Sequence, residues 1–246
     1  MKIKKFTKTS KNNLYKLTLF DDSTILVHEE LILKNNMLLT KEIDEETIKN
    51  IDRLNNNLNA YDLAIKFISS RYHSIHEVKD YLKKKEIDKE VIDEVISKLI
   101  KQKYLDDKIY TKAYINDQIN LTNNGPYKIR RNLESVYVKD SIIEEYISIF
   151  NYDKEQEKLE RLIPKYVNTI RNKSYTMMKK KVIDHFTNLG YSQSVIINML
   201  DKIEYNDKEI YDHEYQKIKN KLSNKYSGEE LEFKIKQSLY QKGFRK

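Results

Sequence analysis

An eleven-residue pattern that returns four times constrains this chain more than any other feature. It first runs Val78–Asp88 (VKDYLKKKEID) and comes back as Ile129–Lys139, Val182–Ser192 and Ile235–Arg245. Each copy opens on a β-branched apolar residue, carries Leu or Phe four places on (Leu82, Leu133, Phe186, Leu239) and has an apolar residue at its tenth place (Ile87, Val138, Tyr191, Phe244). The openings lie 51, 53 and 53 residues apart. A period near 50 means one supersecondary unit repeated, each unit burying its apolar face against its neighbours.

The stretches between the copies say what the unit is. Glycine (4) and proline (2) are scarce among 246 residues and 34% are charged, which suits solvated helices better than a sandwich or barrel. In the first unit, Leu63, Ala64, Phe67 and Ile68 mark one helix. Ser74-Ile75-His76-Glu77 reads as a capping box opening a second, and Val91, Ile92, Val95, Ile96 and Leu99 mark a third, capped by Asp88. The second unit opens on Tyr104-Leu105-Asp106-Asp107, with Asp106 as N-cap and Ile109, Tyr110, Ala113 and Tyr114 on one face. Gly125-Pro126 starts its middle helix, because proline at the first helical position loses no needed donor. The third unit has Pro164 as a kink or boundary, and Gly190 where a helix end turns left-handed. The fourth starts at Asp207, opens its middle helix with a second capping box at Ser227-Gly228-Glu229-Glu230, and stops before a third helix. Leu239 and Phe244 are therefore expected to lack a partner, with the unit either completed by neighbours or cut short.

Ahead of the repeats, Lys2–Phe6, Leu14–Phe20 and Thr24–His28 are β-favouring runs, which predicts a small antiparallel meander. Glu29–Lys34 and Asp44–Asn57 are the helices expected to support it. The fold class is then mainly α: tandem three-helix repeats forming an elongated curved array, with a small N-terminal antiparallel β-meander. The parts are 1–59 (meander plus helix), 60–105, 106–151 and 152–205 (three repeats), and 206–246 (an incomplete fourth).

No residue constellation supports catalysis. Cysteine is absent, which removes disulfides and thiolate chemistry. The five histidines (His28, His73, His76, His185, His213) have no metal-ligand spacing, and Asp106-Asp107 reads as a helix cap. Neither a cofactor nor a metal is expected. Most of the 19 tyrosines fall on apolar stripes and read as core. With no run of about 18 apolar residues and no secretory leader, a cytoplasmic protein without membrane contact is expected.

The net charge of +8 is uneven: residues 165–246 hold 17 basic against 10 acidic residues, while the rest is nearly balanced. Basic clusters recur beside the repeated pattern, and they are the candidate binding residues. They are Lys83, Lys84 and Lys85 in the first unit and Lys128, Arg130 and Arg131 in the second. Lys179, Lys180 and Lys181 precede the third copy, and Lys234 and Lys236 begin the fourth. Such faces suit phosphate backbones or an acidic protein surface, although a lone lysine is usually only solvated.

In this order and spacing the residues resemble the RecX family, the bacterial regulators of the RecA recombinase. The marks are Ala60–Arg71 leading into Ser74-Ile75-His76-Glu77-Val78, the Tyr104-Leu105-Asp106-Asp107 turn with Tyr110, Gly125-Pro126 with Ile129 and Leu133, and Leu189-Gly190-Tyr191. The meander is similar to that of low-GC Gram-positive relatives. Lys103 stands where the family usually has glycine, Thr111 where alanine follows Tyr110, and Glu86 and Tyr137 where Gly190 and Gly243 supply glycine. The resemblance implies a protein without catalysis of its own, acting as a monomer. Its partners would be RecA and the RecA–DNA filament, into whose groove it would insert, limiting filament growth, ATP hydrolysis, strand exchange and repressor cleavage. Direct contact with single- or double-stranded DNA is part of that expectation. The residues alone leave open a stand-alone helical DNA-binding protein, or a scaffold for another acidic protein.

Overall fold

The computed structural model describes residues 1–10 and 13–244; Arg245, the last residue of the fourth copy, and Lys246 lie outside it. Three strands, β1 (Ile3–Lys8), β2 (Leu14–Leu19) and β3 (Thr24–His28), form an antiparallel sheet in the order β1-β2-β3. Alternation puts Leu17, Leu19 and Val27 on the buried face, against α1 (Glu29–Lys34), α2 (Met37–Thr40) and the start of α4. The helix expected at 44–57 is instead two: α3 (Glu45–Lys49), capped by Asp44, and α4 (Ile51–Ile68). The break at Asn50 lets α4 run uninterrupted into the first repeat, so one helix supports the sheet and begins the array. Asn55 holds the two together, accepting from the His28 amide (2.8 Å) and donating to the Leu26 carbonyl (2.8 Å).

The repeats follow as α5 (Ile75–Lys84) and α6 (Lys89–Lys101), then α7 (Asp107–Leu121), α8 (Pro126–Ser135) and α9 (Asp140–Ile147). After these come α10 (Tyr152–Val167), α11 (Tyr175–Asn188), α12 (Gln193–Leu200), α13 (Asp207–Leu222) and α14 (Gly228–Gln241). The chain divides into two compact units, Met1–Tyr110 and Thr111–Lys246. Pro164 sits inside α10 and does not end it. The Ser74–Glu77 capping box is present in full. The one expected at Ser227 is not: Ser227 holds the N-cap place without a side-chain bond, as does Asp88.

The eleven-residue pattern is a helix-stop signal as well as a packing rule. Its first and fifth residues are buried in all four middle helices (Val78/Leu82, Ile129/Leu133, Val182/Phe186, Ile235/Leu239), each such side chain contributing roughly 1.5–3 kcal/mol. The ninth residue turns left-handed: Glu86 (φ 60), Tyr137 (φ 56), Gly190 (φ 88) and Gly243 (φ 89). The tenth then returns its amide to the carbonyl of the fifth: Ile87 to Leu82 (3.3 Å), Val138 to Leu133 (3.2 Å), Tyr191 to Phe186 (3.0 Å) and Phe244 to Leu239 (3.1 Å). This is a Schellman stop with its apolar contact, made four times over, twice without glycine.

Neighbouring units are joined where one unit's middle helix begins. In the second unit the Gly125 amide donates to Leu189 O (2.7 Å) and that of Tyr127 to Gly190 O (3.0 Å), so α8 starts against the stop of α11. The Ser174 amide, ahead of α11, reaches Lys242 O (3.1 Å) at the stop of α14 in the same way. That joint corrects one expectation. Leu239 and Phe244 do not lack partners; both are buried in a cluster with Ile235, Tyr211 and Ile218, with Phe244 edge-on to Tyr211. A Cβ on Gly125 would fall on the Gly190 carbonyl. Gly125→Ala is therefore expected to destabilise the Thr111–Lys246 unit by about 1–3 kcal/mol, read by urea denaturation, through overpacking of a joint that has no side chain to move aside.

Glu155 on α10 is buried and accepts from the Ser192 amide (2.6 Å) ahead of α12. Burial pushes its carboxyl above the usual range, against that hydrogen bond. A raised folded-state pKa means the contribution is fully present below the unfolded value and lost as pH rises through the folded one. Glu155→Gln, which keeps the accepting oxygen, is expected to raise Tm at neutral pH and leave it unchanged in acid below the carboxylate range; paired melts at the two pH values check this.

Candidate functional site

Set on their buried pairs, the middle helices show which basic residues are equivalent. Lys128, Lys181 and Lys234 stand one residue before the buried pair on α8, α11 and α14, where α5 has Glu77. Lys79, Arg130 and Lys236 stand one residue after its first member, where α11 has Ile183. Lys83 and Lys84 have no such counterparts. They close the last turn of α5 next to the C-cap Lys85, where a cation complements the helix dipole, and the Lys85 Nζ lies 5.7 Å from the Tyr81 ring centre.

Position also separates ties from free charges. Arg130 pairs with Glu134 (3.3 Å) and with Glu144 on α9. Lys79 makes the same tie one unit earlier, to Asp93 on α6 (2.9 Å). Both join a middle helix to the third helix of its unit across 14 residues, so Arg130 is placed as a strut. The bond to Glu144 keeps its guanidinium firmly charged. Lys179 likewise ties α11 to Asp201 (3.1 Å), which raises its pKa. Among the described residues Lys83, Lys84, Lys128, Arg131, Lys180, Lys181, Lys234 and Lys236 have no ion-pair partner; Lys234 lies 5.9 Å from the Tyr226 ring centre.

The joint at Gly125 adds residues that linear reading missed. Because α8 begins against the stop of α11, Arg130 and Arg131 share a depression of about 420 Å³ with Tyr127, Thr187, Tyr191 and Gln193. Tyr127 is 58% exposed, against the expectation that most tyrosines are core. Only the pairing of Gly125 with Gly190 signals this cluster, and no spacing along the chain encodes it.

The histidines have local duties. His28 Nδ1 accepts from the Glu30 amide, which leaves the proton on Nε2 facing Asp62 (3.1 Å). His185 stacks on Tyr166 (4.0 Å), and burial lowers its pKa. Asp106 accepts from the Lys108 amide (2.7 Å) and Asp107 from the Ile75 amide (2.9 Å), so the acidic pair caps two helices at once. Among the described residues no group of three His, Cys, Asp or Glu could hold a metal, and no helix is long and apolar enough to cross a membrane.

Comparison with known proteins agrees with this architecture. Residues 60–99 match the model of the first three-helix domain of RecX. The regulatory protein RecX of Bacillus mycoides (strain KBAB4) is 33% identical over 227 residues, covering 89% of this chain and 82% of the relative. The chain belongs to the RecX family. A RecX from Leuconostoc mesenteroides aligns over 98% of this chain at 28% identity. A crystal structure of regulatory protein RecX superposes with a TM-score of 0.68 at 25% identity, over 82% of this chain and 99% of that one. RecX from Lactobacillus salivarius gives 0.57 at 27% identity, over 61% and 99%. Glu86, Lys103 and Tyr137, which stand where glycine was expected, all adopt the left-handed backbone (φ 60, 61 and 56). Those departures change side chains and leave the turns intact.

The distinction between strut and free charge is testable. Lys128→Ala with Arg131→Ala is expected to leave Tm unchanged, whereas Arg130→Ala lowers stability by up to about 1 kcal/mol; thermal melts and far-UV circular dichroism separate them.

Proposed function

We propose that this chain is a non-enzymatic cytoplasmic regulator of RecA that binds the RecA–DNA filament and restrains its growth, ATP hydrolysis, strand exchange and coprotease activity. Family membership over 89% of the chain carries the reading. The unpaired cations at one equivalent place on three successive middle helices (Lys128, Lys181, Lys234) support it, because repeated units can present the same charge to repeated protomers or phosphates. The elongated, curved arrangement of repeats belongs to this proposal, as does action as a monomer.

The test is RecA ATP turnover on single-stranded DNA with the RecA of the same organism. Sub-stoichiometric addition of this protein is expected to lower turnover, and Lys128→Ala/Arg131→Ala to blunt the effect. No effect at any ratio overturns the proposal. Sequence-selective duplex binding, with each mismatch costing about 1–3 kcal/mol, would instead mark a stand-alone DNA-binding protein.

A further inference from the structure

The Met1–Tyr110 unit carries a depression of about 430 Å³ that none of the basic clusters uses. It lies between two turns, the one after α4 and the one after α6. Tyr72 stands on the first and Tyr104 on the second, 64% and 59% exposed, and among the described residues neither hydroxyl has a hydrogen-bond partner. The floor is apolar, with Ile68 and Ile109; Ile109, expected on the buried stripe of α7, is 47% exposed here. The rim carries two cations, Arg71 and Lys103.

Both turns are tied by hydrogen bonds. Arg71 donates to the Tyr72 carbonyl (2.8 Å) and to Glu77 (2.8 Å), which fixes the first turn and keeps the guanidinium charged. The Lys103 amide bonds Ile100 O and the Tyr104 amide bonds Leu99 O (2.9 Å each), which fixes the second. Lys103 sits at φ 61 and has no ion-pair partner among the described residues. A left-handed lysine costs on the order of 1–2 kcal/mol, which glycine would avoid. The chain thus accepts backbone strain where it places a free cation beside an exposed aromatic ring. The acid at the rim, Asp106, accepts from the Lys108 amide (2.7 Å), and Lys103 has no such tie.

We infer that this depression is a base-stacking site for single-stranded nucleic acid, in which Tyr72 and Tyr104 take base faces while Lys103 meets a flanking phosphate and Arg71 holds the Tyr72 turn. Two solvent-facing rings with cations beside them are the pairing that strand-tracking proteins use, and stacking is sequence-tolerant because every base has a π-face. A base is the better-fitting occupant than a peptide side chain, since both exposed walls are flat aromatic rings. The inference deepens the DNA-contact part of the proposed function and rests on it, and strand binding is measured without RecA so that the two readings fail separately.

The probes are a fluorescein-labelled oligodeoxythymidine and an abasic strand of equal length, titrated with the full chain and followed by anisotropy. Tyr72→Leu and Tyr104→Leu are each expected to weaken oligodeoxythymidine binding on the order of tenfold, while Tyr72→Phe and Tyr104→Phe bind normally. The abasic strand should bind weakly and not respond to the Leu changes. Lys103→Gly should raise Tm and yet weaken binding, with the salt dependence falling by about one phosphate contact, a combination that a merely structural lysine would not produce. Equal affinity for the abasic strand, or Leu variants that bind like the parent, overturns the inference. Leu variants that bind the strand normally but no longer lower RecA turnover would make the depression a protein-docking site and also overturn it. Loss of strand binding with RecA inhibition intact upholds the stacking site and leaves the RecA reading standing.

Discussion

The amide that the tenth residue of each repeated block returns to the carbonyl of the fifth is the bond on which this structure turns. It stops a short helix, reverses the chain through a left-handed residue, and presses an apolar side chain onto the last buried position of the helix it has ended. Two of the four left-handed residues are glycine and two are not. Retaining the geometry at Glu86 and Tyr137 in spite of a cost on the order of 1–2 kcal/mol shows that the turn, not the glycine, is the invariant of the repeat. Where glycine remains, a second demand is present. Gly190 faces the backbone of Lys128 and Gly243 faces Ser174 and Met177, so at those joints there is no room for a side chain.

Those joints make the repeats depend on one another. Each short helix has unpaired amides at its start, and the chain meets several of them with groups from elsewhere. Asp107 caps the first turn of α5 and Asp207 that of α11, by bonds of 2.9 and 2.8 Å from the Ile75 and Tyr175 amides. The second unit needs no such acid because its first helical residue, Pro126, has no amide to offer. The same economy explains the fourth unit. Phe244 finds its contact on Tyr211 of α13, and the carbonyl of Lys242 finds its donor in the third unit, so α13 and α14 bury the stop of the fourth copy.

Much of this was readable along the chain. Helical spacing located the buried pairs, Ser74 and Glu77 announced a capping box that is present, and strand alternation placed the meander. The failures have local causes. The Ser227 box has the right residues, but Gly228 adopts φ 55 and takes the serine out of reach. The helix expected at 44–57 missed Asn50 as a break because nothing in its neighbours' periodicity changes there. The basic clusters were legible as residues but not as roles. Arg130 and Arg131 look alike in a charge run until Glu144 arrives beside one of them, so Arg130 is a strut and Arg131 is free.

Reading along the chain was enough for the repeat, its period, the buried pair in each middle helix and the family. The buried pairs follow from spacing within about ten residues, which decides which side chains share a face, and the period and family from the order in which such local patterns recur. Only folding settled which charges are compensated, which tyrosines reach solvent and what buries Phe244. Those outcomes depend on groups far apart in the chain, such as Arg130 with Glu144, Gly125 with Leu189 and Ser174 with Lys242. No periodicity records them, because they arise only when one helix stop becomes the seat for another helix start.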